Sequence, residues 1–131
     1  PIPTSINSFF NNTPSTIKLD STYLNTIDKW IPIISFSQKF NDLIDKEINH
    51  KSKISSLAVD LNKINKDNIP VEFKISPIIG RLRVLKTFIL KIDSYLLKND
   101  NLEEYTADLR SLLESYNALI YQINLRAKEI G

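Results

Sequence analysis

Cysteine is absent from the 131 residues, and there are only two glycines and a single histidine. Without cysteine, neither a disulfide framework nor a thiolate metal site can form. So few glycines leave no Walker loop, no dinucleotide fingerprint and no G-x-S-x-G nucleophile elbow. A Ser-His-Asp arrangement would have to run through His50, and no local motif supports one. An excess of one charge sign is also lacking: 17 Lys and Arg against 15 Asp and Glu leave a net charge of +2. That is too small to argue for nucleic acid or membrane, so either case must rest on local clusters. Long apolar runs are missing too. Stretches such as Ile31-Pro32-Ile33-Ile34 are far too short to span a bilayer.

The chain does have an ordinary folded composition, 42% hydrophobic and 24% charged, and a length that suits one domain with a real core. It starts at Pro1 with neither an initiator methionine nor a signal-peptide pattern, which leads us to expect a processed protein or a piece of a longer one. The sequon Asn11-Asn12-Thr13 is an acceptor only in a secreted chain, and no compartment follows from it.

Residues 1–19 carry three prolines among Ser, Thr and Asn, with Phe9-Phe10 as a pin, and read as a linker or arm. The rest reads as all-α, an antiparallel three- to four-helix bundle with helices at about 20–31, 33–66, 77–98 and 102–130. Asp20 or Ser21 can cap the first helix, and Pro32 ends it or opens the next. From Ile33 to Lys66 no glycine or proline intervenes. Phe36, Phe40, Leu43, Ile54, Leu57, Leu61 and Ile64 recur at helical steps. One long helix is expected there, with Glu47 and His50 as a polar waist; the alternative is a break near Asn49–Ser52. The alternation in 69–75 suggests an extended crossing that buries Ile69, Val71, Phe73 and Ile75.

Ser76-Pro77 has the form of a helix start, serine as N-cap and proline in the first turn. The helix that follows is apolar almost all round. Ile78, Leu82, Leu85, Ile89, Ile92 and Leu96 form one stripe, with Val84, Phe88 and Tyr95 in a second and Leu90 and Leu97 in a third. It should be enclosed on several sides. Gly80, the only internal glycine, is expected where another backbone comes close. Asn101-Leu102-Glu103-Glu104 has capping-box spacing ahead of a last helix striped by Leu102, Tyr105, Leu109, Leu112, Tyr116, Leu119 and Ile123. The short turn at 99–101 makes the last two helices antiparallel, so residues whose numbers sum to about 200 should face each other. Tyr95 then meets Tyr105, and Lys91 lies near Asp108.

The basic residues Lys74, Arg81, Arg83 and Lys86 stand near a helix N-terminus, and the hairpin brings Arg126 and Lys128 to the same end. These six are the candidate partner or anion contacts. The plainer reading is charge pairing, because 74–98 holds six basic residues against one acid, while 99–114 holds five acids against one basic. Trp30, Tyr116 and Tyr121 are candidate interface aromatics, weighed against ordinary core roles. Glu47-x-x-His50 is half of a di-iron motif, without the second copy and further glutamates such a site needs. Asp100, Glu103 and Glu104 lack EF-hand spacing. No metal, cofactor or catalytic residue is therefore expected.

The function expected is a non-enzymatic protein–protein interaction or scaffolding module that docks a partner protein or assembles with itself. An extracytoplasmic ligand-binding or surface helical domain is the alternative. Anionic lipid or nucleic-acid binding at the basic pole stands lowest.

Overall fold

The computed structural model describes residues 16–46, 50–95 and 99–131. Five α-helices are described: α1 (Leu24–Ile27), α2 (Ile31–Lys46), α3 (His50–Asn62), α4 (Ser76–Ser94) and α5 (Leu102–Ile130). Short 3₁₀ turns at Ser21–Tyr23, Val71–Phe73 and Asn99–Asn101 join them, and no strand occurs among the described residues. The protein is an all-α helical bundle.

Where 33–66 was expected to form one helix, α2 and α3 fold back on each other. Lys39 Nζ lies 2.5 Å from Asp60 Oδ2. In a continuous helix these residues would stand roughly 32 Å apart, at about 1.5 Å of rise per residue. The physical reason is the polar waist. A continuous stripe would require Glu47 and His50 on the apolar face. Two antiparallel helices instead turn Phe36, Phe40 and Leu43 toward the same core as Ile54, Leu57 and Leu61. Residues 47–49 and the His50 side chain lie outside the described residues.

The remaining pairings follow the same up-and-down order. Ser55 Oγ donates to Asp93 across α3 and α4 at 2.5 Å. Across α4 and α5, Lys91 Nζ sits 3.2 Å from Asp108, and the Tyr95 and Tyr105 rings meet edge to face at 5.1 Å. The two pairs sum to 199 and 200, as the hairpin register implied. Between α2 and α5 the seam is aromatic: Phe40 stacks on Tyr116 at 3.9 Å, with Phe36 about 6 Å from both. Ser37 and Tyr116 share a buried hydroxyl hydrogen bond of 2.6 Å.

The end of the arm lies over the α5 side of the bundle. Ile17 N donates to Asn117 Oδ1, Asp20 N to Asn124 Oδ1, and Asn124 Nδ2 to the Lys18 carbonyl, all at 2.8–2.9 Å. Seven residues of helix and three of extended chain both cover roughly 10 Å, so one asparagine every two turns matches the strand-like arm. Thr16, itself buried, donates to Asn41 Oδ1 on α2 at 2.7 Å. The arm therefore bridges α2 and α5. Residues 1–15, with Phe9-Phe10, lie outside the described residues.

Several local expectations are corrected. The first helix is a 3₁₀ turn plus α1, with Asp20 accepting from Thr22 N, and Pro32 stands in the first turn of α2. Ser76 is the first helical residue of α4; the cap position is Ile75, without a side-chain bond. Asn101 likewise caps α5 by position only. Helix α4 ends at Ser94 rather than 98, and 96–98 lie outside the described residues. In the 69–75 crossing Ile69 and Phe73 are buried, but a 3₁₀ turn in place of extended chain leaves Val71 79% exposed. A Cβ on Gly80 would meet nothing within 4 Å, so no close backbone explains that glycine. The enclosure of α4 is one-sided: Ile78, Leu82, Leu85, Ile89 and Ile92 are buried while Val84 and Leu90 are exposed.

Candidate binding groove

Helix α3 stops at Asn62, and the next residues form a chain of asparagine and aspartate turns. Asp67 N donates to Asn65 Oδ1, Asn65 N to Asn68 Oδ1, and Asn68 Nδ2 to the Lys63 carbonyl. These side chains satisfy backbone groups that the helix has released, and between this loop and α4 a hollow remains. Ile69 then returns the chain to the core.

The gap is a cavity of about 170 Å³ lined by Asn65, Lys66, Ile69, Ile79, Leu82, Arg83 and Lys86. Its floor is aliphatic and its rim carries three cations. Arg83 and Lys86, three positions apart on α4, share a face. A second, much smaller hollow of about 20 Å³ continues the α3/α4 seam, between Ala58, Leu61, Asn62, Ile89 and Leu90, and Lys86 lines both. Leu90 borders this second hollow and is 58% exposed.

Lys86 divides the seam because its stem lies across it. Its Nζ donates to the carbonyl of Ile64. Burial of the stem and head disfavours the charged form and pulls its pKa below the ordinary lysine value. The nearest acid in the loop, Asp67, is exposed and does not line the cavity. Carboxylate, hydroxyl and imidazole groups are likewise not part of the lining. The arrangement can accept an anion beside an apolar group. It supplies no acid–base pair and no ligand set for a metal, and no acid, His or Cys cluster able to hold a metal ion occurs among the described residues.

Of the six basic candidates, Arg83 and Lys86 meet at this cavity and the others do not. Arg126 reaches the residue-72 end of the bundle as the hairpin sum implied, where its Nε donates to the Glu72 carbonyl at 2.7 Å and its Nη1 lies 3.3 Å from Glu129. Lys74, Arg81 and Lys128 are exposed away from the cavity lining. The single basic pole therefore resolves into a cationic rim and scattered surface charge. Trp30 and Tyr116 are fully buried, which removes them as interface aromatics. Trp30 packs against Phe73 at 5.8 Å, and Tyr116 completes the α2/α5 stack. Tyr121 is 57% exposed and sits between Asn117 and Asn124 on the arm-bearing face of α5.

Two further polar groups belong to the frame of the bundle. Tyr95 donates its hydroxyl to Asp108, and burial followed by this bond pushes its pKa far above the ordinary tyrosine value. Glu72 is held below the usual carboxylate range by the hydrogen bond from Lys29, 2.7 Å away at the surface.

Lys66, Asn65 and the aliphatic floor escape a reading of the sequence for one reason: with 33–66 taken as a single helix, no seam exists for them to line. The asparagine-rich run 62–68 is the signal that marks the early end of α3. No family model, curated protein or solved structure matches the chain, so the reading of this groove rests on its own geometry.

Proposed function

We propose that this chain is a non-enzymatic interaction module that receives a partner polypeptide along the α3/α4 seam. The observation that carries the reading is the seam itself. It holds a phenyl-sized cavity with an aliphatic floor, continues past Lys86 to the exposed Leu90, and is not covered by any other described element. Leu90, exposed at the edge of the second hollow, extends the apolar lining of the seam to solvent, where a partner side chain can cover it. The chemistry of the lining supports binding rather than catalysis, because cations and an amide surround the cavity and no nucleophile–base pair is assembled there.

A photo-crosslinking residue at Leu90, compared with one at the exposed Gln38 on α2, tests the reading in native extract. A discrete polypeptide adduct from position 90 that is absent from position 38 is the expected result. Equal labelling from both positions, or none from position 90, contradicts it.

A further inference from the structure

Resting on that reading, we infer that the occupant of the α3/α4 seam is an acidic amphipathic helix that inserts one bulky apolar side chain into the cavity beside Lys86. Three features of the seam define this occupant.

The first is volume. The larger hollow, about 170 Å³, is comparable with an apolar cavity of roughly 150 Å³ that accepts benzene. Its aliphatic floor of Ile69, Ile79 and Leu82 suits leucine or phenylalanine. The smaller hollow, about 20 Å³, admits no more than a methyl group. One large and one small apolar contact are therefore required.

The second is spacing. On α4 the larger hollow is lined by Ile79, Leu82, Arg83 and Lys86 and the smaller by Lys86, Ile89 and Leu90, so their midpoints lie about six residues, roughly 9 Å, apart along the axis. Positions i and i+7 of a partner helix, about 10 Å apart, come close to that separation. A small monocarboxylate would fill the first hollow and leave the second open.

The third is charge. Lys66, Arg83 and Lys86 ring the cavity, and the lining holds no carboxylate. Lys86 is fixed across the seam by the Ile64 carbonyl, so its ammonium is placed before any partner arrives. Glutamate or aspartate one turn on either side of the bulky anchor would reach this rim. The chain's own residues 1–15 contain no charged side chain, so they match the floor but not the rim.

The test is selection of a random-peptide display library on the immobilised full chain, followed by anisotropy with the enriched peptides. The expected result is a consensus with a bulky apolar residue, a small residue seven positions later, and flanking acids. Binding should weaken with salt, and by roughly a hundredfold in the Lys66→Glu, Arg83→Glu double variant. Both residues are exposed, so the variant keeps the fold, which circular dichroism checks. Ile79→Phe, which fills the cavity, should also abolish binding at unchanged helicity. A neutral or basic consensus, or binding indifferent to the charge reversals, overturns the acidic assignment and leaves the interaction module standing. So does a dimer in light scattering that the same reversals dissociate, since a second copy is then the occupant. Absence of any enriched peptide, with phenylacetate alone shifting the Ile79 methyl resonance, overturns the helix in favour of a small anion. Failure of the Leu90 crosslink as well would sink the parent reading.

Discussion

The α2/α5 and α3/α4 seams of one bundle are closed in opposite ways. Across α2/α5 the chain stacks Phe36, Phe40 and Tyr116, ties Ser37 to Tyr116, and lays its own arm over the top through Thr16, Asn117 and Asn124. Amides of Asn41, Asn117 and Asn124 hold the arm, and within it Lys18 Nζ donates to Thr16 Oγ1. Across α3/α4 a shortened helix and an asparagine-turned loop leave an aliphatic hollow under three cations, and the described arm residues 16–20 lie on the other seam. At the α3/α4 mouth Lys66 and Arg83 are exposed to solvent, while Lys86 is partly buried and held by the Ile64 carbonyl.

The contrast breaks first under truncation of large side chains. Phe40→Ala should cost about 3–5 kcal/mol, the usual range for a buried phenylalanine, while Leu90→Ala on the open seam should stay within about 1 kcal/mol. Denaturant unfolding of both variants checks this. Comparable losses would mean that the two seams are equally sealed.

The next largest effect is alkaline. Burial pushes Tyr116 up to about 12, partly offset by the Ser37 bond, and burial also raises Tyr105. A folded-state pKa raised above the ordinary value of 10 stabilises the fold fully below pH 10 and loses that contribution as pH rises from 10 to 12. For Tyr116 this is on the order of 2–3 kcal/mol. Fluorescence should show the α2/α5 side yielding cooperatively in that window, and Tyr116→Phe should shift the transition to higher pH. An unchanged transition in that variant would remove Tyr116 from the cause.

A smaller effect is expected at the arm. Asn124→Ala removes two backbone-to-amide bonds and should cost about 1–2 kcal/mol, with faster amide exchange confined to residues 17–20. Exchange that rises in α4 instead would mean the arm does not belong to the α2/α5 closure. Smallest, and opposite in sign, Gly80→Ala should stabilise by about 0.5–1 kcal/mol, because the added methyl meets open space in a helix interior. A raised melting temperature is the readout.

Much of the bundle was legible because period and spacing are local signals. The striping of 102–130 and the three-residue turn before it fixed the α4/α5 pairing closely enough to place Lys91 on Asp108 and Tyr95 on Tyr105. The α2/α3 reversal was legible only as the second reading, a break near Asn49–Ser52. No glycine or proline marks it, and the helical period runs through 47–52 at the cost of two polar residues on the core face. Those two polar residues disfavour one continuous stripe, and the antiparallel packing that replaces it is long-range, which a helical period does not report. The groove was hidden for the same reason, since it exists only once α3 is a separate, short helix. The basic cluster was half legible: sequence proximity grouped Arg83 with Lys86, but it also grouped Arg81, which points elsewhere from the same helix, and Arg126, which the Glu72 carbonyl holds.

The absence of cysteine makes thiol labelling of single-cysteine variants the most direct test of the two seams. Ser37→Cys is nearly isosteric and lies buried under the covered seam, while Leu90→Cys sits on the open one. The account predicts that Cys at 90 reacts at close to the rate of an unfolded thiol, and that Cys at 37 is protected by roughly a hundredfold or more. Equal rates at the two positions, in a sample whose helicity is intact, would contradict the claim that one seam is closed by the chain and the other held open for a partner.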